Sequence, residues 1–295
     1  MNLLDRRLID ASATRAILRK YGLRPKKGLG QNFLINHQVL EMIMESAALS
    51  REDIAIEIGP GIGTLTQALA ESAGKVVAVE IDLQMVQILT HTMLSYENVS
   101  VIHGDFLKVS LTDLLIDGCQ FRQRCIVANL PYYITTPIIL KLVEEKSSWD
   151  HAVIMMQKEV AQRINAAPGG KEYGSLSVAV QYALQTELIG FVPPSSFIPA
   201  PKVDSAVLKL TPRQSPRVQV NDESLFFSVV KDSFQQRRKT LFNNLKISPR
   251  LADLDGETLR RLLLSLGIDP HRRGETISIE EFGQIANAIN IHRKE

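Results

Sequence analysis

Cysteine is scarce in this 295-residue chain: only Cys119 and Cys125 occur, six positions apart. That spacing makes no Cys-x-x-Cys pair, and the six histidines show no His-x-x-x-His or similar ligand spacing. A metal centre and a disulfide framework are therefore not expected, and a reducing compartment is. Long apolar runs are missing too, since none approaches the roughly 18 residues that a membrane-spanning helix requires. The first residues hold early arginines but no continuous apolar stretch and no cleavage-like end, which speaks against an export signal. Leu4, Leu8, Ile17 and Leu18 instead fall at helical spacing with charges between them, so a short amphipathic helix is expected. Internal repeats and low-complexity tracts are absent as well. These absences describe a soluble, cytoplasmic protein with no membrane partner.

Charge of one sign is also in short supply. The chain sets 34 Lys and Arg against 32 Asp and Glu, a net charge of +2, which is too mild to argue for nucleic acid by itself. The basic residues are nonetheless clustered, as Lys26-Lys27, Arg122 with Arg124, Arg237-Arg238-Lys239 and Arg272-Arg273. One such cluster is most often a solvated face, whereas several on one chain suggest a surface that tracks phosphates. At 45% hydrophobic and 22% charged residues the composition is ordinary for a globular protein. The length fits one large domain or two unequal ones.

What the chain has in plenty is alternation. Apolar, β-rich runs at 53–59, 75–82, 99–105, 125–130 and 151–157 are separated by helical patterns at 64–72, 83–94 and 136–145. This order implies right-handed crossovers and a mainly parallel sheet. The near-continuous apolarity of the strands implies helices on both faces. The rhythm changes near 186: "TELIGFVP" and "DSAVLKLTP" follow one another with no helix between, as an antiparallel pair closing one edge of a seven-stranded sheet. Beyond Thr211 the pattern is helical, strongest over 224–245, where Phe227, Val230, Phe234, Leu241 and Leu245 mark one stripe. The expected division is an α/β domain over 1–212, with a helical extension over 1–50, and a small all-helical domain over 213–295.

The first strand runs into "EIGPGIGTLT", with Gly59, Gly61 and Gly63. Glycine lets the backbone turn sharply and approach a ligand ahead of a helix N-terminus. The dinucleotide fingerprint G-x-G-x-x-G fails, because position 64 is Thr. A G-x-G-x-G loop is known instead from S-adenosylmethionine sites, where no pyrophosphate is cradled, although a plain tight turn would look the same. Glu80 ends the second strand, 21 residues after Gly59, where doubly wound folds place the carboxylate that grips ribose hydroxyls. Asp105 ends the third strand and could accept from a base amino group, with Phe106 beside the adenine. One acidic strand end means little. Successive ones after a glycine loop converge on the ligand-binding edge of such a sheet.

The fourth strand ends at the same edge in "VANLPYY". Asn129-Leu130-Pro131-Tyr132 fits the [Asn/Asp/Ser]-x-Pro-[Tyr/Phe] pattern of enzymes that methylate amino groups conjugated to a ring. An adenine N6 is a poor nucleophile because its lone pair is delocalised. An amide oxygen and a backbone carbonyl can accept its two N–H bonds and draw the nitrogen towards tetrahedral geometry, leaving the lone pair free for a sulfonium methyl. Asn129, Leu130 and Tyr132 are thus catalytic candidates, Tyr132 offering a stacking face for an unstacked base. A helix-starting Asn-x-Pro turn would account for these residues in isolation, though not for their place at the edge. Tyr133 has no derivable role.

From "KKGLGQNFL" almost to the end, the chain resembles the rRNA adenine dimethylase family, which also includes the Erm enzymes of 23S rRNA. The resemblance rests on "GQNFL", "EIGPGIGTLT", "VEID", "GDFL", "NLPYYI", "FIPAPKVDSAV", "QRRKTLFNNL" and "GETISIEEF", in that order. "GQNFL" and "QRRKTLFNNL" look like the branch acting on the small subunit rather than Erm. The resemblance implies a Rossmann-like S-adenosylmethionine-dependent methyltransferase with a helical C-terminal domain. Gln31, Asn32 and Leu34 would approach the cofactor from before the sheet, the Gly59–Gly63 loop its methionine part, Glu80 with Ile81 its ribose, and Asp105 with Phe106 its adenine. Asn129 would border both cofactor and target amine. Phe197 would cover the target adenine opposite Tyr132, although as a residue of a proline-stiffened loop it reads equally as a hydrophobic plug. The implied reaction is dimethylation at N6 of two adjacent adenines in the 3′-terminal hairpin loop of 16S rRNA. The implied substrate is an assembling 30S subunit, met by a monomer through Lys26, Lys27, Arg237, Arg238, Lys239, Arg272 and Arg273.

Overall fold

The computed structural model describes residues 7–23, 30–115 and 120–294; Leu4, Lys26, Lys27 and Cys119 lie outside the described residues. Among the described residues nine strands follow in chain order: β1 (Phe33–Leu34), β2 (Ile54–Ile58), β3 (Lys75–Glu80), β4 (Val99–His103), β5 (Arg124–Asn129), β6 (His151–Gln157), β7 (Leu184–Val192), β8 (Phe197–Ile198) and β9 (Ser205–Pro212). Seven form one sheet in the order β4-β3-β2-β5-β6-β9-β7. The five strands from β4 to β6 are parallel, and β9 runs antiparallel to β6. The expected parallel sheet with an antiparallel edge is therefore present.

The sheet places a site before any side chain is considered. From β2 the chain builds outward through β3 and β4, then returns to lay β5 and β6 on the other flank. This reversal between β2 and β5 opens a crevice beyond their carboxyl ends. Ile58 of β2 is level with Ala128 of β5, so Gly59 and Asn129 emerge side by side. Every residue of β2 is buried, as helix-covered parallel strands require. The helices Thr64–Ser72 and His37–Ala47 pack Leu65, Leu69, Val39 and Ile43 into one core cluster with Ala55, Val127 and Val153. Met85, Ile88 and Leu89 of helix Leu83–Thr92 form another with Ala78 and with Ile17 of helix Ala11–Lys20.

By compactness the chain divides into Met1–Ala161 with Thr186–Pro212, and Gln162–Gln185 with Arg213–Glu295. In this division 162–185 groups with the helical unit, whereas the sequence reading assigns it to the α/β one. Helices Lys158–Ile164 and Ser175–Ala183 were not expected. The first continues β6 without a turn signal, and in the second all residues but Ser175 and Gln181 are buried, so no polar face marks its period. The single long helix expected over 224–245 is two helices, Glu223–Ser233 and Leu241–Lys246. Thr240 starts the second by accepting a hydrogen bond from Asn243 N–H at 3.3 Å, a favoured N-cap arrangement. The buried face of the first is Leu225, Phe226, Val229, Val230 and Ser233, rotated from the expected stripe so that Phe227 is only half-buried.

Candidate active site

The loop after β2 turns through three left-handed glycines, Gly59 (φ 67°), Gly61 (φ 57°) and Gly63 (φ 97°). At Gly61 the need for glycine is double, because a Cβ there would also stand 3.2 Å from the Phe33 ring. The turn aims the Gly61 N–H at Glu80 Oε2 (3.2 Å), while Glu80 Oε1 accepts from Asp82 N–H (2.9 Å). Glu80 is thus fixed at the end of β3 with lone pairs left for hydroxyl donors. Burial raises its carboxyl above the usual range, the backbone bonds opposing this. Asp105 follows β4 and accepts from Leu107 N–H (3.1 Å), starting a single turn that buries Phe106.

Asn129 ends β5 and donates Nδ2–H to the Asn32 carbonyl at 3.0 Å. A carbonyl oxygen only accepts, so this bond settles which end of the amide is which and leaves Oδ1 as the acceptor. Asn32 in turn donates to the Gly30 carbonyl (3.0 Å) and Gln31 to Asp82 Oδ2 (3.2 Å). The segment before the sheet is thereby tied to strand ends on both sides of the crevice. It is held from behind by β1, which pairs with β8 as Phe33 with Ile198 and Leu34 with Phe197.

These elements enclose one cleft. Gln31, Asn32, Leu34, Gly59, Gly61, Glu80, Ile81, Asp105, Phe106 and Asn129 all line it, as the sequence suggests. Four candidates do not. Gly63 instead seats the following helix against Leu89, whose Cδ1 would lie 2.9 Å from a Cβ. Leu130 is buried, its N–H bonded to the Met155 carbonyl at 2.9 Å. Tyr132 shares a 2.7 Å hydrogen bond with Ser205 Oγ. Phe197 is 3% exposed, packed in the core with Leu34, which matches the plug reading. In the helical unit Arg237 donates to the Lys171 carbonyl (2.6 Å) with its side chain largely exposed, and Arg238, Lys239 and Arg273 are exposed. Arg272 is engaged instead by Glu281 and Thr276.

Of the remaining lining residues, two carry titratable groups that the sequence reading left without a role. Tyr133 faces the cleft. Glu57, in mid-β2, is 2% exposed, and burial pushes its carboxyl up to about 8. Its Oε2 and the Thr66 hydroxyl are both buried without a hydrogen-bond partner among the described residues, although the hydroxyl is near enough to ease ionisation. A charge inside the apolar run "IAIEI" is the signal that could have found it. Three carboxyl groups, and no Lys or Arg among the described residues, line the cleft. Such a lining suits a cationic nucleoside without phosphates, and the sulfonium and ammonium of S-adenosylmethionine fit it. Among the described residues no cluster of His, Cys, Asp and Glu could hold a metal ion, and no helix is long and apolar enough to cross a membrane.

Comparison with known proteins agrees with this geometry. The model of the ribosomal RNA adenine dimethylase family matches residues 22–290. The chain belongs to that family. Among curated relatives, ribosomal RNA small subunit methyltransferase A of Alkaliphilus metalliredigens is 50% identical over 283 residues, covering 96% of this chain and 98% of that one. Its counterpart in Bacillus mycoides is 51% identical over 281 residues, covering 95% and 96%. The crystal structure of a dimethyladenosine transferase from Plasmodium falciparum superposes with a TM-score of 0.72 at 27% identity, covering 89% of this chain and 98% of that one. The 23S rRNA methyltransferase ErmE shares the fold, with a TM-score of 0.63 at 24% identity over 88% of this chain and all of its own.

Proposed function

We propose that this protein transfers methyl groups from S-adenosylmethionine to N6 of two adjacent adenines in the 3′-terminal hairpin loop of 16S rRNA, dimethylating each during small-subunit maturation. The observation that carries this reading is the fixed amide of Asn129, whose Oδ1 is left to accept from a ring-conjugated amine in a cleft lined by Glu57, Glu80 and Asp105. The cofactor supplies a methyl group already activated on sulfur. The protein's part is therefore to bind, orient and hydrogen-bond. Glu80 and Asp105 hold the nucleoside end. Asn129 Oδ1 and a backbone carbonyl of the same turn, assigned to Leu130, accept the two N–H bonds of the target and free its lone pair. Tyr132 is not the base that takes up the departing proton. Burial raises its hydroxyl above the usual tyrosine range, with the Ser205 bond only partly opposing, so it stays protonated at neutral pH.

The remaining assignments belong to the same proposal. The α/β part is the catalytic domain and the helical part the docking domain, with Arg237, Arg238, Lys239 and Arg273 as phosphate contacts. The enzyme is a cytoplasmic monomer, and its substrate is the assembling 30S subunit rather than free RNA. Tyr132 and Phe197 are the aromatic candidates for the target base, Phe197 on condition that it leaves its buried seat. The decisive experiment supplies labelled methyl donor with small subunits lacking the modification, and separately with protein-free 23S rRNA. Label in N6,N6-dimethyladenine of the 16S rRNA alone is the expected result; label in 23S rRNA alone would overturn the assignment.

A further inference from the structure

Tyr133 stands just after the Asn-Leu-Pro-Tyr turn, beside the start of helix Thr135–Glu144, and nothing in the proposed chemistry uses it. Its side chain is conspicuous on physical grounds. It is 53% exposed, whereas the other two aromatic residues lining the cleft, Phe33 and Phe106, are buried. Ile81, in the same lining, is 47% exposed. Two large apolar side chains left open at one cleft are uncovered surface that a ligand would remove from water. Their surroundings say which part of the ligand that is. Ile81 adjoins Glu80, and Tyr133 is near enough to both Glu80 and Asp105 for those carboxylates to add to the effect of burial in raising its hydroxyl. Sharing the lining with Glu80, Ile81 and Asp105, Tyr133 groups with the nucleoside end of the cleft. Tyr132, its neighbour in sequence, is turned to Ser205 and lines no part of the cleft.

We infer that Tyr133 is a cofactor-retaining residue, covering the adenosyl part of the methyl donor together with Ile81. This rests on the reading of the cleft as the methyl-donor site. An exposed aromatic ring loses little conformational freedom on binding and contributes contact area without a charge. The hydroxyl adds a donor on the acidic side of the cleft. The contribution of Tyr133 then falls on the adenosyl group whether or not the methyl is still present.

The test is calorimetric binding of S-adenosylhomocysteine, and of 5′-methylthioadenosine as a probe that lacks the amino-acid part, to wild type, Tyr133→Phe and Tyr133→Ala. Melting temperatures are recorded alongside, and a residue this exposed is expected to leave them unchanged. Tyr133→Ala should raise Kd about tenfold for both ligands, equivalent to about 1.4 kcal/mol. Tyr133→Phe should recover most of the loss. Equal affinity of wild type and Tyr133→Ala would overturn the inference while leaving the site intact. So would a loss seen with S-adenosylhomocysteine but not with methylthioadenosine, because the contact would then be to the amino-acid part. Failure of wild type itself to bind either ligand would bring down the methyl-donor site, and the role of Tyr133 with it.

Discussion

Glu57 gives the most direct measurement of how the cleft floor is built. Burial moves its carboxyl from 4.5 to about 8, Thr66 easing the change and the Glu80 charge adding to it. In the unfolded chain the group titrates at its ordinary value. Between these two values the folded protein keeps a proton that the unfolded chain has released, so stability falls as pH rises through that window. The contribution is complete below the unfolded value and gone above about 8. Each tenfold change in a protonation equilibrium is worth about 1.4 kcal/mol. Raising the pH from about 5 to about 8 then removes on the order of 4 kcal/mol, and relaxation around the buried ion brings this nearer to about 2–3 kcal/mol. In a protein of this size that is roughly 5–10 °C of melting temperature. Glu57→Gln keeps the shape and abolishes the titration. Melting curves of both proteins by circular dichroism across this range should diverge, wild type losing roughly 5–10 °C relative to the variant. Apart from Glu80, whose charge acts on Glu57, the other titrating groups cancel in the comparison, so parallel profiles would refute the buried, proton-holding carboxyl.

Asn129→Ala should lower turnover by about 100-fold or more while leaving subunit binding nearly unchanged, since it deletes a contact to the reacting amine; undiminished turnover in the labelled-methyl assay would remove Asn129 from the mechanism. Arg122→Ala takes away the guanidinium that, with Ser50, holds the buried Asp53 carboxyl at about 2. It should destabilise the protein at neutral pH, by less than a broken buried pair does, because Arg122 is half-exposed. In wild type that stability is present above pH 3.8 and is lost as pH falls through about 2, so acid-unfolding curves of the two proteins should converge there. Replacing Arg237 and Arg238 together by Ala should weaken subunit binding and flatten its salt dependence by about two counterions. Equal affinity at all salt concentrations would make this cluster a solvated face.

The seven sheet strands and most helices of the α/β unit were legible because each is a local pattern: a short apolar run, then a 3.6-residue period. That Gly59, Glu80, Asp105 and Asn129 share one cleft was legible for a related reason. All four follow strand ends, and in a parallel sheet strand ends share one edge. What escaped depends on contacts that no window contains. Phe197 looked like a clamp from its loop, yet its partner Leu34 lies at the other end of the unit. Glu57 looked like one more strand residue until its burial made it a carboxyl without a full set of partners. In the helical unit the expected stripe ran through Phe234 into Leu241 because both ends were helical, and the cap at Thr240 shows only once Asn243 is seen to donate to it. Arg272 shows the same limit in charge. A basic pair in sequence says nothing of Glu281, which occupies one member of it.

The small pairing of β1 with β8 has a consequence for how the enzyme comes into being. Phe33 and Leu34 back the cofactor segment, and they are seated by Ile198 and Phe197. The sheet likewise admits β9 against β6 only when Ser205–Pro212 has been made. Chain order and spatial order are therefore at odds, and the first part of the cleft to be synthesised waits for the last part of its unit. A growing chain that stops short of these residues has its glycine loop and its strand-end carboxylates but no back wall. A member of the ribosomal RNA adenine dimethylase family thus completes its cleft only after its whole α/β unit has left the exit tunnel of the ribosome that makes it.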